Sequence, residues 1–216
     1  MLTGPSDGSM NAQPRNRLLI ATNNKGKVLE LKDLLKSVEV TLLTPADIGL
    51  NLDVKEDGST YAENASRKAL AFARASDLVA LADDSGLEVD ALGGAPGLHS
   101  ARYLPIPGAT DSDRRRYLLE NLSDLPRPWT ARFHATIAIA QPSGEIQFSD
   151  GECPGEIIPE ERGSSGFGYD PIFLFRELGR TMAELDLEQK NTLSHRARAV
   201  RGAIPILVKM FHGPLA

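Results

Sequence analysis

The feature that most constrains this chain is an apolar run, Leu78-Val79-Ala80-Leu81-Ala82, that stops against two adjacent carboxylates, Asp83 and Asp84, followed by Ser85 and Gly86. A short apolar run bounded by small polar residues reads as a buried strand. In an α/β protein the carboxyl end of such a strand opens onto the ligand crevice, where a side chain reaches solvent while its backbone stays fixed. Paired carboxylates there suit a hard cation such as Mg2+, and Ser85-Gly86 offers a hydroxyl beside a backbone that a phosphate can approach. A solvated Asp-Asp-Ser-Gly turn accounts for the same residues equally simply. The expectation is a strand over 78–82, an acidic turn over 83–86 and a second apolar run over 87–92.

A second strand is expected at Arg17-Leu18-Leu19-Ile20-Ala21, then a polar loop, Thr22-Asn23-Asn24-Lys25-Gly26-Lys27, then a helix with Val28, Leu31, Leu34, Leu35 and Val38 on one stripe. Strand, short loop, helix aims free backbone N–H groups at an anion. Thr22 and Asn24 can donate to phosphate oxygens, and Lys25 and Lys27 add charge. The GxxxxGK[ST] spacing of a Walker A loop is absent, and an Asn-rich turn with two solvated lysines is the plainer alternative. A further helix is expected from Thr60, which has capping-box spacing to Glu63. Lys68 falls on its apolar stripe with Tyr61, Ala65 and Phe72, either snorkelling past the core or facing a cleft. Glu56 just upstream is a candidate second carboxylate or a surface charge.

Arg102 is a candidate phosphate contact, and the Arg114-Arg115-Arg116 run on a helix over 110–122 reads as a solvated face. Alternation over 132–140, the Pro142-Ser143-Gly144 turn and the run 145–148 make a β-hairpin, so the sheet is mixed; His134 within it reads as structural. The Gly-rich stretch Ser165-Gly166-Phe167-Gly168-Tyr169-Asp170 puts an aromatic ring in an adaptable loop suited to stacking on a base, or pinned to the core. Thr181 and Glu184 have capping-box spacing. Ser194 caps a terminal helix that Pro205 is expected to kink, which places His195 and Arg196 in a first turn where cations oppose the helix dipole. That placement makes sense if an electron-rich ligand group sits at that end.

The net charge of −5 over 216 residues argues against a general nucleic-acid binder, although a metal and a local Lys/Arg cluster can reverse the sign inside a cleft. The single Cys153 leaves no intramolecular disulfide and no thiolate cluster, consistent with a reducing compartment. No apolar run approaches a membrane span. Residues 1–15 read as a disordered leader of expression-tag character, and residues 16–213 as a single domain. A cytoplasmic enzyme is the default expectation.

Taken in order, Thr22–Lys27, Ala82–Leu87, Ser165–Pro171, and Lys190 followed by Ser194-His195-Arg196 resemble the inosine triphosphate pyrophosphatase, or Ham1, family over about residues 17–207. The resemblance implies an α/β fold, an elongated mixed sheet flanked by helices with two lobes around a nucleotide-binding cleft, usually as a homodimer. It also implies hydrolysis of the purine nucleoside triphosphates ITP, dITP and XTP to monophosphate and pyrophosphate with Mg2+, without nucleic-acid or membrane partners. On it, Thr22, Asn23, Asn24, Lys25, Gly26 and Lys27 hold the triphosphate, and Lys68 joins them as a catalytic residue, which favours its cleft-facing placement. Asp84 is the metal-binding and catalytic carboxylate, with Glu56 or its neighbour Asp57 as the second ligand. Ser85 contacts substrate, while Phe167, Gly168, Tyr169, Asp170, Lys190, His195 and Arg196 form the nucleoside end. The alternatives are a Maf-type pyrophosphatase of other base specificity and a nucleotide-binding module without catalysis.

Overall fold

In the computed structural model, which describes residues 16–213, the chain through Asp83 and Asp84 does not turn. The leader expected over 1–15 lies outside the described residues. Val79–Val89 forms one continuous strand, β3, in which the expected acidic turn is the middle. The reason is a change of neighbours. β1 (Arg17–Ile20) pairs with β3 in parallel only as far as Leu81, whereas the antiparallel strand β4 (Trp129–Ala140) pairs with it from Ala80 to Val89. From residue 82 onward β4 holds one edge of β3, while the other edge has no partner strand until Leu87 N–H meets Ser100 Oγ and Glu88 bridges to Pro96. The carboxylates sit where the parallel neighbour stops, so a crevice forms beside a strand that continues.

The sheet has seven strands in the order β2-β1-β3-β4-β5-β6-β7, with β2 at Thr41–Leu43, β5 at Ile146–Ile157, β6 at Phe173–Phe175 and β7 at Arg180–Thr181. β2 and β3 run parallel to β1, and the other pairings are antiparallel. The sheet is mixed, as the β4–β5 hairpin predicts, and that hairpin extends well beyond the expected 132–148.

Helices cover both faces of one half of the sheet. On one side α1 (Lys25–Leu34) and α5 (His195–His212) bury Leu31, Leu35, Val200, Ala203 and Leu207 against Leu18, Ile20 and Ile137. On the other, α2 (Tyr61–Ser76) buries Ala65, Ala69 and Phe72 against Leu19, Ala80 and Ala82. α5 stays helical through Pro205. Beyond residue 86 a third apolar cluster joins Leu87, Phe133 and Phe173 to α3 (Asp111–Leu122). The apolar core therefore divides near Asp83–Gly86.

Thr60 caps α2 by accepting from Glu63 N–H, but the Glu63 carboxylate returns to Ser59 N–H and Oγ and not to Thr60. The complete capping boxes lie elsewhere, at Thr110 with Asp113, Thr181 with Glu184, and Asp186 with Gln189 at the start of α4 (Leu187–Leu193). The Arg114–Arg116 run is not a uniformly solvated face. Arg114 bonds Ala109 O and Asp111, Arg115 reaches Glu161 and Gly168, and only Arg116 stands mostly in solvent.

Candidate active site

The loop between β1 and α1 is closed by its own side chains. Thr22 Oγ1 accepts from Asn24 N–H, and Asn24 Oδ1 caps α1 by accepting from Lys27 N–H at 3.0 Å. The first N–H groups of α1, from Lys25 and Gly26, have no intrahelical acceptor and mark the positive end of the helix dipole. This loop borders two hollows. Asn24–Lys27 line a cavity of about 390 Å³ together with Ser85, Phe167–Asp170, Lys190, His195 and Arg196. Thr22 and Asn23 line a smaller polar hollow of about 180 Å³ with Glu56 and Lys68.

Successive strand residues point to opposite faces of a sheet, and β3 separates its two carboxylates in this way. Asp83, with no exposed surface, faces α1 and α5, where it accepts from Lys27 Nζ at 2.5 Å, Arg196 Nε at 2.7 Å and Ser85 Oγ at 2.9 Å. Burial alone would push its carboxyl up, but Arg196 and Lys27 outweigh burial and hold it far below the usual carboxylate range. Asp84 faces the other way. Its Oδ2 is buried and accepts no hydrogen bond. Burial pushes this carboxyl up, Lys27 and Lys68 oppose the shift, and the nearby Glu56 charge adds to it. The adjacent acids thus occupy opposite states: one is neutralised by cations, the other is under-satisfied and turned toward the Glu56–Lys68 side.

Lys68 does not snorkel into solvent; it pairs with Glu56, and its side chain is 13% exposed. Arg102 holds the same loop, donating to Glu56 O at 2.7 Å. Arg102, a candidate phosphate contact, here holds the segment that carries Glu56.

On the other side of the cavity, charges alternate along a buried chain: Lys27, Asp83, Arg196, Glu30, Lys190, Asp170. Arg196 Nη1 donates to Glu30 Oε2 at 2.5 Å, and Lys190 Nζ donates to Glu30 Oε1 at 2.7 Å and to Asp170 Oδ2 at 2.5 Å. The electron-rich partner at the start of α5, expected from a ligand, is instead the protein's own pair of carboxylates, Asp83 and Glu30. Among ionic groups taken from water, such pairing is what makes burial tolerable. His195 is stacked on Phe133 with ring centroids 4.7 Å apart, and its Nδ1 has no partner. Burial, with Arg196 beside it, drives its pKa well below the ordinary value, so the imidazole is neutral.

The Phe167 ring leans over this chain, with Lys190 Nζ 5.0 Å and the Arg196 guanidinium 5.7 Å from its centre. It also lies on Gly26, where an added Cβ would stand 2.5 Å from Phe167 Cδ1, so only glycine lets loop and helix meet. Tyr169 points away from solvent, its hydroxyl donating to Ser100 O at 2.9 Å. Sequence reasoning passed over Glu30, Asp111 and Arg115, and it read Asp83 as half of a cation-binding pair where the structure makes it the ionic partner of Lys27 and Arg196. Glu30 interrupts no pattern on a surface helix, and contacts such as Arg115–Glu161 join residues far apart in the chain, so no local spacing signals them.

The family model of the Ham1 family matches residues 18–206. A dITP/XTP pyrophosphatase of Desulforamulus reducens is 47% identical over 90% of this chain and 97% of its own length. One from Thermus thermophilus is 48% identical over 87% and 90%, respectively. A solved HAM1 protein from Coxiella burnetii superposes with a TM-score of 0.81 at 38% identity, over 90% of this chain and 99% of that one.

Proposed function

The chain belongs to the Ham1 family, and from that premise we propose that it hydrolyses non-standard purine nucleoside triphosphates, ITP, dITP and XTP, to the monophosphate and pyrophosphate. The observation that carries the reading is the continuity of the cavity. One wall is the start of α1 with Lys25 and Lys27, and the other is the Phe167 loop above Lys190 and Arg196. An anion-binding end and an aromatic end in one cleft fit a nucleotide.

In this reading the Thr22–Lys27 loop and Lys68 bind the phosphate chain, and their charges stabilise the leaving pyrophosphate in an in-line displacement by water. Asp84 orients that water; although Asn64 bonds its carboxylate, burial raises its pKa and its Oδ2 has no partner, as suits a group that meets substrate. The residues also fit a Mg2+ ion. Among the described residues no cluster of three or more His, Cys, Asp or Glu is arranged to hold a metal, but Mg2+ commonly takes only one or two protein carboxylates, with water and substrate phosphates completing its shell. Asp84 and Glu56 supply that pair. A bound Mg2+ would neutralise phosphate charge and make the attacking water more acidic.

Phe167 stacks on the base, and a donor from Arg196 or the loop backbone meets the C6 keto group of hypoxanthine or xanthine. Adenine carries an amino donor there and would leave that group mispaired. The working form is a homodimer in the cytoplasm. No helix among the described residues is long and apolar enough to cross a membrane.

The test is pyrophosphate release from ITP, XTP, GTP and ATP with and without Mg2+. Mg2+-dependent release from ITP and XTP, with little from the others, is the expected result. Equal rates on all four would discard the base selectivity, and no release from any would leave only a nucleotide-binding module. Light scattering on the eluting protein checks the dimer.

A further inference from the structure

Gly168, next to the stacking ring of Phe167, has both of its backbone groups held by side chains of a single helix turn. Its N–H donates to Asp111 Oδ2 and its C=O accepts from Arg115 Nη1, each at 2.8 Å. Gly168 has a φ of +61°, a conformation that L side chains rarely adopt, so this peptide is both unusual in shape and fixed from outside. Next to the ring the loop closes on itself, with Phe167 N–H donating to Asp170 Oδ2 and Asp170 N–H to Phe167 O; its outer ties are Ser165 N–H to Ala183 O, the Tyr169 hydroxyl to Ser100 O and Lys190 to Asp170, none of which holds the Gly168 peptide.

The holding groups are themselves braced. Arg115 forms a two-pronged pair with Glu161, Nε to Oε1 at 2.9 Å and Nη2 to Oε2 at 2.8 Å, and its side chain is 11% exposed. Arg114 Nη2 donates to the second oxygen of Asp111 at 2.5 Å. A guanidinium fork fixed on a carboxylate presents its remaining donor in one direction.

α3 packs in the cluster beyond residue 86, whereas Gly26, on which the ring rests, belongs to α1 at the other end of the cleft. We infer that the first turn of α3, through Arg115 and Asp111 on the Gly168 peptide, is a strut that sets the height of the Phe167 ring above α1 and thereby the affinity for the nucleobase. Arg115 is a positioning residue: it acts on the base through the loop. The inference rests on the nucleotide reading above, because it assigns a role to the base end of that site.

The experiment uses the full chain with Arg115→Gln, Arg115→Lys and Glu161→Gln. Arg115→Gln raises KM for ITP about tenfold, the loss expected for one charge-assisted hydrogen bond that orders the binding loop. It leaves kcat within about twofold, because the phosphate end is untouched. Arg115→Lys, which keeps one donor for Gly168 O, recovers KM to within about threefold. Glu161→Gln keeps the Gly168 contact and changes KM less than Arg115→Gln does. In the free protein, amide exchange over residues 164–170 quickens in Arg115→Gln and stays unchanged along β4 and β5. Unchanged exchange over 164–170, or kcat and KM worsening together with no rescue by lysine, would overturn the strut. If the wild-type chain releases no pyrophosphate, the functional reading fails, and the exchange comparison still decides whether Arg115 orders the loop. Should Arg115→Gln not fold, the Lys and Glu161→Gln variants carry both measurements.

Discussion

Replacing Glu30 by glutamine removes one charge from the middle of the buried ionic chain and changes almost nothing in shape. Glu30 is 3% exposed and accepts from Arg196 and Lys190, which are themselves 1% and 3% exposed. Burial would push its carboxyl up, but the two cations outweigh burial and hold it below the usual range. A neutral amide there leaves both cations short of a counter-charge out of water, a loss of about 3–5 kcal/mol for a broken buried pair. For a chain of this length each kcal/mol lowers Tm by about 2–4 °C, so the melting temperature falls by about 10 °C. The assay is thermal unfolding followed by circular dichroism at neutral pH. The control is Lys36→Gln, whose ion pair with Asp33 lies on the surface and whose loss costs about 0–1 kcal/mol. A Glu30→Gln melt within about 2 °C of wild type would refute the claim that this chain of charges holds α1 to α4 and α5.

Other expectations concern the site. Asp84→Asn, which removes the under-satisfied carboxylate beside Glu56 and Lys68, lowers pyrophosphate release about 100-fold or more with an unchanged melt; turnover near wild type would remove Asp84 from the chemistry. Gly26→Ala drives a methyl group into the Phe167 ring, and KM for ITP rises several-fold, about the worth of one stacking contact; an unchanged KM would mean that the loop can move aside at no cost. His195 is neutral in the fold, its pKa lowered by burial, whereas in the unfolded chain it takes a proton near pH 6.5. The unfolded state therefore binds more protons as pH falls, and stability declines below about pH 6.5 by up to about 1.4 kcal/mol per unit from this group. Denaturant titrations at pH 7.5 and 5.5 read that slope, and His195→Gln flattens it; the same slope in both proteins would locate it elsewhere.

Local periodicity was enough to read much of the architecture. The stripes of α1, α2 and α5, the N-caps at Thr60 and Ser194, and the alternating hairpin depend on spacings within a few residues, which the chain carries wherever it folds. The resemblance across four stretches added the family, and many of the residues it names line the cavity between α1 and the Phe167 loop. Tertiary structure decided what neighbours decide. Asp83-Asp84 reads as a turn from its residues, yet it lies inside β3 because β4 supplies hydrogen bonds along its whole length while β1 stops at Leu81. Only the alternation of that strand makes Asp83 an ionic anchor and Asp84 an under-satisfied acid. The buried pairs of Glu30 with Lys190 and Arg196, and of Asp83 with Arg196, join residues more than a hundred positions apart, so no local spacing announces them. Short-range order is written in side-chain spacing, but the sign and protonation of a buried group depend on which distant charges the fold brings beside it.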